Sequence, residues 1–179
     1  DIMKNYNVDK IKAQFPALNR MVWDKPLVYL DSAASMQKPQ KVLDAIQSSY
    51  SFNYSNVHRG LHKLSEEATS DYEGARKKIA NFINCSENEV IFTSGATAAI
   101  NLIAYSWGLK NLLPGDEIII TIAEHHANIV PWQIIAQQKG VKIIAANIIP
   151  DEDFNSEIIK SLVTENTKII AFPHVSNVL

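Results

Sequence analysis

"DEIIITIAEHHANIVPWQIIAQQKGVKIIAANI", residues 116–148, sets two isoleucine-rich runs on either side of a longer, less regular stretch. "EIIIT" and "VKIIAANI" are short, continuous apolar runs without alternation, which is how a buried strand reads. Between them "ANIVPWQIIAQQKG" has helical length, and Gly140 falls where a helix C-cap is expected. Strand, helix, strand is a βαβ unit, so the two strands are expected to lie parallel.

The same alternation continues outward on both sides. Upstream, "EVIFTS" (89–94) reads as a strand and "ATAAINLIAYSWG" (96–108) as a helix closed by Gly108. Downstream, "NSEIIKSLVTEN" (155–166) reads as a helix and "KIIAFPHVS" (168–176) as a strand. Four strands alternating with three helices predict a mainly parallel α/β sheet. Ahead of Cys85 the pattern differs. A short helix fits Val8 to Phe15, and "PLVYLDSAAS" (26–35) reads as a strand opening into a loop. A helix follows Pro39, with Val42, Leu43, Ile46 and Tyr50 at helical spacing. Another fits residues 65–83, with Ser65 as N-cap, Glu66 and Glu67 in the first turn, and Arg76, Lys77 and Lys78 nearer the end, as the helix dipole favours.

A chain of 179 residues with 46% hydrophobic and 20% charged side chains can bury a core. Its net charge of −2, with both signs interspersed, is unlike the basic footprint of a nucleic-acid binder. No apolar run has the length to span a bilayer, and the first residues lack a signal-peptide core. The single cysteine, Cys85, excludes an intrachain disulfide and suits a reducing compartment, cytoplasm or organelle matrix. It has no flanking cation to activate it, so packing explains it better than catalysis. The chain opens on Asp and ends on "HVSNVL" without a stop signal, and is expected to be a fragment.

Ligands of open α/β sheets sit beyond the carboxyl ends of the strands. Three polar clusters fall at such ends: "SGAT" (94–97), "EHHAN" (124–128) and "HVSN" (174–177). Gly95, Ala96 and Thr97 suit a phosphate, because small residues expose backbone N–H groups at a helix start. The alternative is an ordinary tight turn capped by Thr97. There is neither a Walker motif nor a dinucleotide glycine fingerprint. His125 and His126 are adjacent, so their side chains diverge. One can stack on a planar ligand or move a proton, or both can be plain surface residues. His58 and His62 have zinc-like spacing but enclose a glycine and lack the accompanying glutamate, which argues against a metal. Asn177 can orient a carboxylate or a ring oxygen, or simply serve a turn.

Together "YLDSAAS", "VHRGLHKLSEEAT", "FTSGATAAINLIAYSWG", "PGDEIIIT", "EHHANIVPWQ" and "HVSNVL" closely resemble the aminotransferase class V enzymes that use pyridoxal 5'-phosphate. Within them the chain looks like the N-terminal portion of a cysteine desulfurase or selenocysteine lyase of the SufS type, with "EHHANIVPWQ" and "VHRG" as the specific motifs. The resemblance covers nearly the whole chain. It implies a fold-type-I large domain, a mainly parallel sheet with helices on both faces, incomplete at the C-terminus. Residues 1–35 would be an N-terminal segment and 36–179 the first part of that domain. By the same resemblance, Ala96, Thr97, His125 and Asn177 bind the cofactor, His125 also assisting proton transfer. Ala33, His58 and Asn177 face the substrate, and no metal is implied.

The implied reaction takes sulfur from L-cysteine, releases alanine and leaves a protein persulfide for iron–sulfur cluster assembly, with L-selenocysteine as a second substrate. A sulfur-acceptor protein and a second copy of the chain are the implied partners, with neither nucleic acid nor membrane. The Schiff-base lysine, the pyridine-binding aspartate and the nucleophilic cysteine match no residue here, so the chain alone is expected to be inactive. Ala98 departs from the acidic residue many relatives carry. The alternatives are a non-catalytic interaction module or another class V aminotransferase or lyase.

Overall fold

The computed structural model describes residues 6–147 and 156–176, in two compact units, residues 1–91 and 92–179.

The second unit is built on a parallel sheet of β3 (Glu117–Thr121), β4 (Lys142–Ala146) and β5 (Thr167–Ala171), in the order β4-β3-β5. Glu117 stands opposite Lys142 and Thr121 opposite Ala146, while Ile118 pairs with Ile169 and Ile120 with Ala171. β3 lies in the middle, and all five of its residues are buried. That position accounts for the unbroken "EIIIT": a central parallel strand is covered on both faces, so neither parity of its residues can be polar.

Helices cover the sheet from both sides. α4 (Ala96–Ile103) runs on through a π-helical turn at Ala104–Gly108 into the short α5 (Leu109–Asn111). Ala104, Leu112, and Trp132 and Ile135 of α6 (Val130–Lys139) pack with Ile118 and Ile120 on one face. On the other face Ile119 and Ala146 pack with Ile159 of α7 (Ser156–Leu162). α6 connects β3 to one neighbour, and α7 leads from that neighbour back past β3 to β5. Two crossovers of one hand running in opposite directions along a sheet must place their helices on opposite faces. Gly140 ends α6 in the left-handed conformation, φ 68 and ψ 29, as its sequence position implied.

The first unit holds α1 (Val8–Lys12), a hairpin of β1 (Met21–Val22) and β2 (Lys25–Pro26), α2 (Gln40–Ser48) and α3 (Lys63–Ile83). Trp23 and Asp24 both take positive φ in the two-residue hairpin loop, as a turn matching the strands' twist requires. α2 starts after Pro39 and passes into a π-helical turn at Ser49–Asn53.

Four local expectations are corrected. "EVIFTS" joins neither sheet: Val90 is extended, but a β-branched run is only a candidate strand until a ladder partner lies beside it. Hence the described sheet has three strands. "PLVYL" contributes only Pro26 to a strand, and "DSAA" forms a turn in which Ala34 and Ser35 N–H donate to Asp31 O. Gly108 lies within continuous helix at φ −61 and ends nothing. Ser65 is not the N-cap of α3. His62 holds that position, and Ser65 is buried in the first turn, where its hydroxyl donates to Asn56 O at 2.6 Å and accepts from Gly60 N–H at 2.9 Å.

Candidate functional site at the carboxyl end of the parallel sheet

The helices that leave β3 and β4 go to opposite faces, and the carboxyl ends of neighbouring strands that diverge in this way are where open α/β sheets bind ligands. At that end β3 continues into Ile122–His126, and Ile122 N–H reaches Ala146 O at 3.1 Å.

α4 begins at Gly95, whose φ of 157 and ψ of 175 lie in a region open essentially to glycine. No atom comes within 4 Å of the place a Cβ would take, so the backbone conformation, not crowding, demands glycine there. The first bond of the helix runs from Ala99 N–H to Gly95 O. The amides of Ala96, Thr97 and Ala98 therefore point past the helix start without a carbonyl of their own helix to meet, and no side chain caps them. Ala96 and Thr97 are exposed. Three such amides with a hydroxyl beside them form a site for an anion.

α4 packs against the 3-10 turn His126–Asn128. His125 is the N-cap of this turn, and its Nδ1 accepts from Ala127 N–H at 3.1 Å. His125 and His126 stand edge to face, with ring centroids 6.3 Å apart, and both are exposed. Adjacent side chains diverge as expected, and only His125 is tied back to the backbone of its own turn.

A polar chain that the motif reading did not single out runs beneath the two histidines. Thr121 Oγ1 donates to Glu124 Oε1 at 2.7 Å, Asn128 Nδ2 donates to Glu124 Oε2 at 2.7 Å, and Trp132 Nε1–H donates to Asn128 Oδ1 at 2.9 Å. The recurrence of Glu124, Asn128 and Trp132 at intervals of four was the available signal. The same unit carries a groove of about 690 Å³, lined mainly by Ile100, Ile103 and Trp107 with Ile170 and Phe172 of the β5 side.

The remaining site candidates lie elsewhere. Ala33 is exposed in the Asp31–Ala34 turn of the first unit. His58, also in that unit, has φ 68. Its N–H donates to Thr69 Oγ1 at 2.9 Å, and its Nε2 lies 2.8 Å from Glu73 Oε1. Arg76 Nε donates to Glu73 Oε2 at 3.0 Å, and Arg76 also bonds Val90 O and lies over the Tyr72 ring. Partial desolvation raises the pKa of Glu73, but the hydrogen bonds from His58 and Arg76 outweigh it and hold the carboxyl below its ordinary value. His62 occupies the N-cap position of α3 without a side-chain cap, so the two histidines of "HRGLH" are not drawn together by a shared contact. Asn177 lies outside the described residues. Among the described residues no helix is long and apolar enough to cross a membrane.

Residues 28–179 match the model of the aminotransferase class-V family. A probable cysteine desulfurase of Vibrio cholerae serotype O1 is 49% identical over 96% of this chain and 43% of its own length. One from Synechocystis is 47% identical over 94% of the chain and 40% of its own length. The crystal structure of the cysteine desulfurase CsdA from Escherichia coli superposes with a TM-score of 0.75 and 38% identity, over 92% of this chain and 40% of that one. The apo cysteine desulfurase of Thermococcus onnurineus gives a TM-score of 0.86 and 30% identity, over 96% and 41%. The chain thus spans about two fifths of the length of these relatives.

Proposed function

The chain belongs to the aminotransferase class V family, and from that premise we propose that it forms the first part of the cofactor domain of a pyridoxal 5'-phosphate-dependent cysteine desulfurase. One juxtaposition carries the reading. α4, whose uncapped start carries Thr97, packs against the 3-10 turn that follows His125.

The residues present fit the cofactor. Its phosphate needs convergent N–H donors, which Ala96, Thr97 and Ala98 supply, and the Thr97 hydroxyl adds a further donor. Its ring needs a flat, accessible partner, and the exposed His125 imidazole is one. When bound, pyridoxal phosphate draws electron density from the substrate Cα. Ala96 and Thr97 would hold the phosphate end and His125 the ring, with the imidazole proton left to Nε2 because Nδ1 accepts from Ala127 N–H. Asn177 orients the cofactor and the substrate carboxylate, and Ala33 and His58 face the substrate. In this reading 36–179 belong to the cofactor domain and 1–35 to an N-terminal segment.

The relatives named cysteine desulfurase support L-cysteine as substrate, and the proposal adds a persulfide as the product retained on the enzyme. The finer parts of the proposal are assignment to the SufS type, L-selenocysteine as a second substrate, transfer to an acceptor protein for iron–sulfur assembly, a homodimer and a cytoplasmic site of action. The test is to express the gene's full product with pyridoxal phosphate and, with a dithiol present to reduce the persulfide, measure alanine and sulfide from L-cysteine. Both should appear, and Thr97→Ala should weaken cofactor retention by about tenfold, the loss of one charge-assisted hydrogen bond. A full product that holds the cofactor yet releases neither alanine nor sulfide would sink the desulfurase assignment.

A further inference from the structure

His125 is carried by a bridge, and the bridge has a direction. Trp132 is fixed in the core, 3% exposed, and an indole N–H can only donate, so Asn128 must turn its carbonyl oxygen toward it. The amide nitrogen of Asn128 is then forced toward Glu124, where it donates to Oε2. The other oxygen of Glu124 is taken by the hydroxyl of Thr121, 2% exposed at the end of β3. One unbroken polar chain therefore ties the end of the central strand to the first turn of α6, and the two histidines lie in the arch above it. Asn128 also clamps the arch through its backbone, since its N–H donates to His125 O at 2.8 Å.

We infer that Asn128 is a positioning residue for His125: by fixing the arch between Thr121 and Trp132 it keeps Ala127 N–H on Nδ1 and leaves the imidazole proton on Nε2. A neutral imidazole that accepts at Nδ1 has only Nε2 left to carry its proton. The ring is a donor of fixed orientation held by the backbone of its own turn, with the His126 ring edge to face beside it. The use of that donor in catalysis rests on the cofactor reading above; the orientation itself does not.

The polarity of the chain supplies the test. Asn128→Asp still accepts from Trp132 but cannot donate to Glu124 and sets two carboxylates face to face. Glu124→Gln keeps both contacts, since its amide can donate to the Thr121 hydroxyl while its oxygen accepts from Asn128. In the double variant Asn128→Asp/Glu124→Gln, the amide introduced at position 124 donates to the carboxylate introduced at position 128, and the bridge is rebuilt with its donor reversed. Histidine-labelled full-length protein, without cofactor, is followed by imidazole nitrogen shifts, with His125→Gln identifying the signal. Wild type and Glu124→Gln should show the Nε2–H form of His125. Asn128→Asp should show a mixture of forms, and the double variant should return to Nε2–H. Turnover of the holoenzyme should follow the same order, falling about tenfold or more in kcat for Asn128→Asp and recovering to within about threefold in the double variant.

A double variant that behaves no better than Asn128→Asp would overturn the inference, as would an Asn128→Asp protein that keeps a single Nε2–H form. Asn128→Leu, which removes the donor without adding charge, covers the case in which Asn128→Asp fails to fold: it too must lose the single form. If the nitrogen shifts behave as described while His125→Gln leaves the cofactor's absorption band unmoved, the positioning stands and the ring-stacking reading falls.

Discussion

The two units treat the same kind of apolar pattern differently. In the second, the isoleucines of β3 disappear on both faces, and both hydrophobic clusters of the described residues lie there. In the first, the helix-spaced Val42, Leu43 and Ile46 of α2 stay at least 40% exposed, and Phe82 of α3 is 90% exposed. Only Ser65, Ala80 and Val90 are buried among the described residues of that unit. Periodicity identifies which face of an element is apolar; it does not provide the surface that covers it. A helix as short as α2 draws little stability from its own hydrogen bonds, so the first unit leans on local polar contacts where the second leans on area removed from water.

Matched truncations should break or confirm this contrast. Ile118→Ala removes a fully buried side chain between β3 and its covering helices and should cost about 2–5 kcal/mol in denaturant unfolding. Ile46→Ala, at 51% exposure, should cost less than about 1 kcal/mol by the same measurement. Equal losses would mean that α2 is covered in solution. Next comes Ser65→Ala, which leaves Gly60 N–H and Asn56 O without their partner and should cost about 1–3 kcal/mol, a polar deletion rivalling an apolar one. A smaller effect of opposite sign is expected from Gly74→Ala in the middle of α3. Nothing lies within 4 Å of the added methyl, so helix propensity alone should stabilise that helix by about 1 kcal/mol.

How far the sequence could be read follows the same division. "EIIIT", "KIIAA" and "TKIIA" were legible as strands because each has its ladder partners within the described residues. "EVIFTS" has equal β-propensity and no ladder there, which no property of its own residues could reveal. Gly108 misled because a glycine after an apolar helix looks like a stop, whereas here the helix runs through it, and a Cβ there would meet Leu112 and Ile135 only at ordinary contact distance. At the site, the polar stretch after β3 pointed to His125, since chain direction decides which loops share an end of a parallel sheet, whereas Gly95 and Thr97 were reached through an expected strand that has no ladder among the described residues. Glu124, Asn128 and Trp132 passed unnoticed beside two histidines, although their spacing of four was in plain view. Their value depends on which of their polar atoms face one another, and that is set by the turn at His126–Asn128.

The smallest expected effect is the most specific to the first unit. Glu73 of α3 holds His58 and pairs with Arg76 on the same helix, and these contacts hold its carboxyl below the ordinary value of 4.5. A carboxyl whose folded-state pKa is depressed contributes stability that is complete above its unfolded value and is lost as pH falls through the folded one. The contribution should therefore be constant at neutral pH and fade only below about pH 4.5. Because the pair is partly exposed, the change is a surface effect, to be sought locally and not in global unfolding. Amide exchange in residues 56–62 should quicken in wild type as pH is lowered through that range, beyond the intrinsic pH trend. Glu73→Gln, which keeps an acceptor but has no proton to gain, should already exchange faster at neutral pH and respond less to acid. If the loop opens equally in both proteins, the Glu73 contacts are not what holds it, and the positive φ of His58 must be maintained by the Thr69 bond alone.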